Sequence, residues 1–297
     1  MAFIPLSMIH MSKARHVSFN DSGDFLGWWF DTDLLEGKAL RVFQRYYSNY
    51  RKDFGGYLKR AWTDRHLELD RELEAIENKS NIKIMDLGCG TGSVSLYIAG
   101  KLQGKCQVVG VDINAERLFC ARERQKVLER NIGFKLSCEF IESNVLFFDE
   151  KRKFDLIYLE ETLHHMEPRV EVVRKISNLL TNGGTLIISE VNAYNPFMQL
   201  HLFKKRGLRT VKEKMGKNGQ AVLYGVERIL TASKVAKLFT AHNLKVRSLR
   251  YFRVASSKLG SFSDKRGINL LNMERGICKL PLLRTLFSVH YNIVFSH

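Results

Sequence analysis

The sequence predicts an α/β fold built on a seven-stranded, mainly parallel sheet with helices on both faces. Short apolar runs alternate with helical stretches between residues 82 and 190, a glycine-rich turn joins the first run to the first helix, and two more strand-like runs follow late in the chain. The five early runs are IKIMDL (82–87), CQVVGVD (106–112), SCEFIES (137–143), FDLIYLE (154–160) and GTLIISE (184–190). Helices are expected between them at 92–102, 114–130 and 168–180. Asn182-Gly183-Gly184 is a turn signal that delivers the chain into the fifth strand. The late strands are LKVRSLRYF (244–252) and SVHYNIVFS (288–296). Residues 1–80 form an N-terminal helical segment expected to cover the site, with 34–77 rich in charge and in aromatics: Phe43, Tyr46, Tyr47, Tyr50, Tyr57 and Trp62. Residues 81–297 form the main domain. Within it, two basic stretches, about 191–243 and 253–287, are expected as C-terminal insertions around the sheet rather than as part of its frame.

Composition bounds the function. A chain of 297 residues, 45% hydrophobic, can bury a sizeable core. No apolar run is long enough to span a membrane as a helix. The start, MAFIPLSMIHMSKAR, has no basic residue ahead of its apolar stretch and is expected to be an irregular terminus rather than a signal peptide. Cys89, Cys106, Cys120, Cys138 and Cys278 are odd in number and scattered, which fits free thiols in a cytoplasmic protein and gives no zinc spacing; no metal site is expected. The net charge of +16 is unevenly placed. Residues 191–297 hold 20 Lys/Arg against 4 Asp/Glu, and the rest of the chain is balanced. That asymmetry points to an anionic partner for the last third.

The most informative motif is IMDLGCGTGS, residues 84–93. A buried strand ends at Asp86-Leu87, and Gly88, Gly90 and Gly92 turn the chain into a helix, where a ligand can approach the main chain closely. A dinucleotide site is the rival reading. Its spacing needs glycine at 93, where this chain has Ser93. Asp86, at the mouth of the loop, would repel a pyrophosphate and attract an ammonium or sulfonium. Asp112 ends the second strand, where a carboxylate accepts hydrogen bonds from both ribose hydroxyls of an adenosine; it could equally cap the following helix.

In order, MDLGCGTG, VDIN, FIESNVLFF, FDLIYLEETLHHM and LLTNGGTLIISE resemble the class I, Rossmann-like S-adenosylmethionine-dependent methyltransferases of the small-molecule "methyltransferase domain" type. The resemblance covers about residues 80–190. It implies that Asp86, Gly88, Cys89, Gly90 and Gly92 cradle the methionine part of the cofactor and that Asp112 holds the ribose. It also implies that Ile113 packs on the adenine, that Asn144 and Val145 meet its edge, and that backbone near Leu159 and Glu160 closes the methionine end. The family usually has Asp where Asn144 stands, and an amide oxygen still accepts a hydrogen bond there. Cys89 reads as a small space-filler, not a nucleophile.

Methyl transfer from a sulfonium is an in-line displacement on an activated carbon. The protein must align the nucleophile and, where needed, remove its proton. The candidates are Glu160, Glu161, His164 and His165 in LEETLHHM, after the fourth strand; His164, His165 and Glu160 are the expected catalytic residues. The plain alternative for the histidines is that one caps the local turn or packs on the cofactor and the other faces solvent. The chain lacks the Asn/Asp-Pro-Pro-aromatic loop of exocyclic-amine methylases and the Pro-Cys loop of cytosine-C5 methylases. A basic amphipathic stretch, MERGICKLPLLRTLF (273–287), and the basic KKRGLRTVKEKMGK (204–217), read as a mobile lid, favour a small or lipid-like acceptor, or one bound to an acidic carrier protein, with peripheral contact at an anionic membrane. An RNA acceptor is the runner-up, with nucleic acid less favoured because basic charge alone gives only non-specific attraction. A catalytically silent cofactor-binding protein that docks an anionic partner fits the same motifs.

Overall fold

The structure, a computed structural model, describes residues 17–30, 35–47, 56–149, 151–215, 221–254 and 264–297. The expected irregular start, Tyr50 and the side chain of Tyr57 lie outside the described residues. Helices α1 (Ser22–Trp29), α2 (Gly37–Tyr47) and α3 (Gly56–Ile76) precede the sheet. Alternating units follow: β1 (Ile82–Leu87), α4 (Ser93–Lys101), β2 (Cys106–Asp112), α5 (Ala115–Ile132), β3 (Cys138–Glu142), β4 (Phe154–Glu160), α6 (Arg169–Leu179) and β5 (Leu180–Val191). The chain then runs through α7 (Pro196–Arg206), β6 (Val211–Met215), β7 (Ala221–Gly225), α8 (Ala232–Thr240), β8 (Lys245–Phe252), α9 (Asp264–Lys279), α10 (Pro281–Phe287) and β9 (His290–Ser296).

Seven strands pair in the order β3-β2-β1-β4-β5-β9-β8, with β9 antiparallel to both neighbours. The order reverses between β1 and β4, so the carboxyl ends of β1, β2 and β4 open onto the crevice where such sheets bind ligands. Side chains alternate across the sheet. Ile84 joins a core with Phe25, Trp29, Phe43, Leu96 and Leu118 under α1, α2, α4 and α5, whereas Met85 joins Ile157, Val173, Phe239 and Phe295 under α6 and α8. Helix α1 starts where the Asp21 carboxylate accepts from Asp24 N at 2.8 Å, and it buries Phe25 and Trp29 completely.

Three expectations need correction. The stretch 191–243 is not all insertion: α8, capped by Thr231, buries Val235 and Phe239 on the sheet face. The segment 204–217 is not a free lid where it is described. It is the end of α7 and the first strand of a two-stranded antiparallel sheet, β6–β7, with residues 216 and 217 outside the described residues. The hairpin is held down on the loop after β4, since Tyr224 bridges to Met166, Arg228 N donates to His164 O at 3.2 Å, and a Cβ on Gly225 would lie 2.3 Å from that carbonyl. The third correction concerns Asp112, which does not cap α5. Asn114 does, accepting from Glu116 N and Arg117 N, and that leaves the Asp112 carboxylate facing the glycine-rich turn.

Candidate active site

The turn after β1 is built by three glycines with different tasks. Gly88, Gly90 and Gly92 all have positive φ (82°, 55° and 85°), which a side chain would strain. A Cβ on Gly88 would meet Thr162 at 2.3 Å, and one on Gly92 would meet Phe140 at 2.7 Å, so these two serve close packing. Gly90 instead faces open space, with nothing nearer its Cβ position than Arg117 at 4.0 Å. Its backbone forms the floor of a cradle that a side chain would fill. Asp112 is locked beside it: Oδ2 accepts from Gly90 N at 2.9 Å and Oδ1 from Asn114 N at 2.8 Å. Each carboxylate oxygen keeps a lone pair for a further donor.

The neighbouring groups form the rest of the cradle. Ile113 stands 58% exposed beside Asp112, an apolar face available to a flat ring. Asn144 Oδ1 accepts from Leu146 N at 3.0 Å, and Val145 is buried beneath that short turn. Leu159 is fully buried in β4, paired with Ile188 of β5. From above, α2 brings Tyr47, whose hydroxyl lies 3.0 Å from Thr91 Oγ1. Cys89 is buried in the turn, and burial pushes its thiol well up, which suits a space-filler and not a nucleophile. Asp86 lies beneath the turn rather than at its mouth. It is buried and accepts from Ser95 Oγ at 2.6 Å, and burial raises its carboxyl to about 7.

Of the expected catalytic residues, Glu160 is not a base. Its oxygens accept from Arg65 at 2.7 Å and lie 2.8 Å from His66 Nε2, both on α3. Burial alone would raise this carboxyl, but the charges of His66 and Arg65 outweigh it and bring it down to about 2. Glu161 is tied into the same network by Arg65 at 2.9 Å and His290 at 2.6 Å. Glu160 is thus a partly buried anchor that fixes the end of β4 to the N-terminal helices.

The histidines sit together, their ring centroids 4.1 Å apart. His164 is buried, with Nδ1 2.6 Å from Glu190 Oε2 and Nε2 3.7 Å from Glu227 Oε2. Burial lowers its pKa, but the carboxylates of Glu190, Glu161 and Glu227 outweigh this and raise it overall. His165 behaves oppositely: burial, then the charge of His164, lowers it. His165 Nδ1 lies 3.0 Å from the Gly225 carbonyl, so that nitrogen carries the proton and Nε2 keeps a lone pair; Tyr224 stacks on the ring at 5.0 Å. His164 therefore neither caps its turn nor faces solvent. Sequence reasoning missed Glu190, Glu227 and Tyr224. The only early signal was the Ser-Glu ending the fifth apolar run, on the ligand-binding edge of the sheet.

Among the described residues, His164, His165 and Glu227 bring ligand-type atoms within 4.8 Å of one another. Glu190 and Lys205 already pair with His164 and Glu227 (2.6 and 3.0 Å). The two imidazoles are thus shifted in opposite directions, His164 up and His165 down.

An open glycine turn after the first strand, a carboxylate after the second and two paired histidines after the fourth lie together along the ligand-binding edge of the sheet. The chain belongs to the methyltransferase-domain family, whose model matches residues 78–243. These proteins are S-adenosylmethionine-dependent methyltransferases with the class I Rossmann-like fold. Relatives include (S)-coclaurine N-methyltransferase of Papaver somniferum, 27% identical over 164 residues, or 54% of this chain and 45% of that protein. Phosphoethanolamine N-methyltransferase 1 of Arabidopsis thaliana is 30% identical over 50% of this chain and 31% of its own. The ubiquinone biosynthesis O-methyltransferase of Glaesserella parasuis is 30% identical over 43% and 54%. The match spans about half of these curated relatives or less. In fold the chain is similar to the magnesium protoporphyrin IX methyltransferase of Synechocystis PCC 6803, solved with bound SAH, at TM-score 0.52 and 14% identity, covering 93% of this chain and 100% of that one.

Proposed function

We propose that the protein transfers the methyl group of S-adenosylmethionine to a small or lipid-like acceptor held beside the packed pair formed by the loop after β4 and the β6–β7 hairpin. The observation that carries this reading is the Gly90 cradle with Asp112 locked beside it. A side chain there would occupy the cradle, and the carboxylate has acceptor capacity to spare for a diol. Gly90 and the turn backbone would hold the amino-acid end of the cofactor, Asp112 the ribose, and Ile113, Asn144 and Val145 the adenine. The cofactor supplies an activated methyl group. The residues of this chain orient the acceptor, and His165 Nε2 takes its proton. His164, oriented by Glu190, is favoured in its cationic form, which in turn disfavours a charge on His165. The fold and the belonging to the family support the cofactor; the acceptor class rests on the charge and apolar surface near the loop.

Asp112→Ala is expected to weaken S-adenosylmethionine binding by about 1–3 kcal/mol, the usual consequence of leaving buried hydroxyls unpaired. Titration calorimetry checks this, and unchanged affinity would remove Asp112 from the ribose site.

Asp86 gives the binding a pH dependence. Its carboxyl, at about 7 in the free protein and buried beneath the turn, is stabilised as the anion by a ligand ammonium acting across that turn rather than in contact with it, so binding drives off a proton. Affinity is therefore expected to fall by up to about tenfold between pH 7 and pH 6, one pKa unit. Asp86→Asn should flatten that slope; a slope that persists in Asp86→Asn would place the titrating group elsewhere.

A further inference from the structure

We propose that α7 and α10 together form a docking surface for an anionic lipid bilayer, beside the acceptor site. Helix α7 buries one side chain of its eleven, Leu202, in a small cluster with Val191 and Ile229. Met198 packs partly against that cluster, but the helix's remaining large apolar residues point outward: Phe197 is 70% exposed, and Leu200 and Phe203 are about half exposed at 55% and 52%. Leu208, just past the helix, is 88% exposed. Helix α10 has no buried residue, and its Leu282 is 71% exposed. The two helices abut. The rings of Phe197 and Phe287 lie 6.4 Å apart, and Asn195 Nδ2 donates to the Phe287 carbonyl at 2.8 Å. An apolar face of this kind on an otherwise well-packed chain calls for a partner.

Charge selects that partner. Lys204 and Lys205 end α7, Arg209 follows it, and Lys279 ends α9 at the start of α10. The acids of this third of the chain are few, four against 20 Lys/Arg: Glu213 on β6 is exposed, but Glu227 accepts from Lys205 at 3.0 Å, and Glu274 is buried, accepting from Val254 N. Exposed Phe and Leu interleaved with Lys suit the boundary between acyl chains and anionic headgroups, where the apolar side chains enter and each Lys is drawn to the surface potential. The surface also joins the site, because Lys205 of α7 holds Glu227, whose other oxygen faces His164. A lipid-like acceptor could then reach the loop after β4 without crossing water. That last step rests on the methyltransferase reading; the docking itself does not.

Flotation reads docking alone. The full chain, with no cofactor added, is mixed with phosphatidylcholine vesicles or with vesicles that also contain phosphatidylglycerol, at low and at physiological salt. The protein should float with the anionic vesicles and less at higher salt. Lys204→Glu with Lys279→Glu should cut binding about tenfold or more, from about fivefold per Lys. Phe197→Asp with Leu282→Asp should abolish the salt-resistant part. S-adenosylmethionine affinity should be unchanged in all four substitutions, which shows that the variants are folded. Equal flotation with neutral and anionic vesicles would overturn the proposal. So would wild-type flotation that both double variants retain, or displacement of the vesicles by RNA at physiological salt.

Discussion

His165→Ala is expected to lower kcat by about 10²-fold or more, the range for removing a general base, while S-adenosylmethionine affinity stays within a factor of about two. The ring accepts a proton at Nε2 because Nδ1–H is committed to the Gly225 carbonyl, and because burial and the charge of His164 keep it neutral below the usual histidine range. The acid limb of the wild-type rate should accordingly have its midpoint below the ordinary value of 6.5. His164→Gln removes the neighbouring cation, so the His165 midpoint should move to higher pH. A purely structural role for His164 would lower activity without moving that midpoint. Activity should be measured after exhaustive dialysis against a chelator, since His164, His165 and Glu227 converge. Loss on chelation alone would contradict the acid–base reading. Near-full activity of His165→Ala would show that positioning suffices without a base.

The largest effect on stability is expected from Arg65→Ala, at about 3 kcal/mol, the lower end of the range for removing one partner of a buried ion pair, because Glu160 and Glu161 keep some exposure to solvent. Arg65 is the buried cation between Glu160 and Glu161, and its loss strands two carboxylates at the end of β4. The pH dependence follows from Glu160. Its folded pKa of about 2 lies below the unfolded value of 4.5, so its contribution is present above 4.5 and is lost as pH falls toward 2. The deficit of Arg65→Ala, read by urea unfolding, should therefore be full at pH 7 and shrink through that window. A deficit that is constant down to acid pH would mean the loss is packing against Trp62, over whose ring the guanidinium lies at 4.7 Å.

The frame of this fold was legible because its strands are apolar runs bounded by glycines. β1, β2 and β4 end where the sequence placed them, and the turn after β1 follows from three glycines at alternate positions. β5 begins earlier than expected, at Leu180, running through the Asn182-Gly183-Gly184 signal. The signals for α1 and α8 were present, with Asp21 ahead of an aromatic run and Thr231 ahead of an amphipathic one, but both are short. The β6–β7 hairpin was obscured because VKEKM is charge-rich and nearly exposed, so its strand character comes from pairing, not from burial. The site was half legible for a related reason. The cofactor cradle is local, drawn from residues 86–92 and the end of β2, so spacing exposes it. Arg65, Glu190 and Glu227 meet the loop after β4 from 26 to 96 residues away, and only the folded chain brings them there. Glu160 shows the consequence: without Arg65 and His66 in view, an acid next to a candidate base reads as chemistry, whereas in place it is an anchor.

The central claim is that the Gly90 cradle and Asp112 form an S-adenosylmethionine site and not a dinucleotide site. Titration calorimetry of the wild-type chain with S-adenosylmethionine, repeated in the presence of NAD, tests it most directly. The expected result is one-site binding of S-adenosylmethionine that NAD neither reproduces nor displaces. A folded chain that gives no binding with S-adenosylmethionine, or one from which NAD displaces it, would contradict the account.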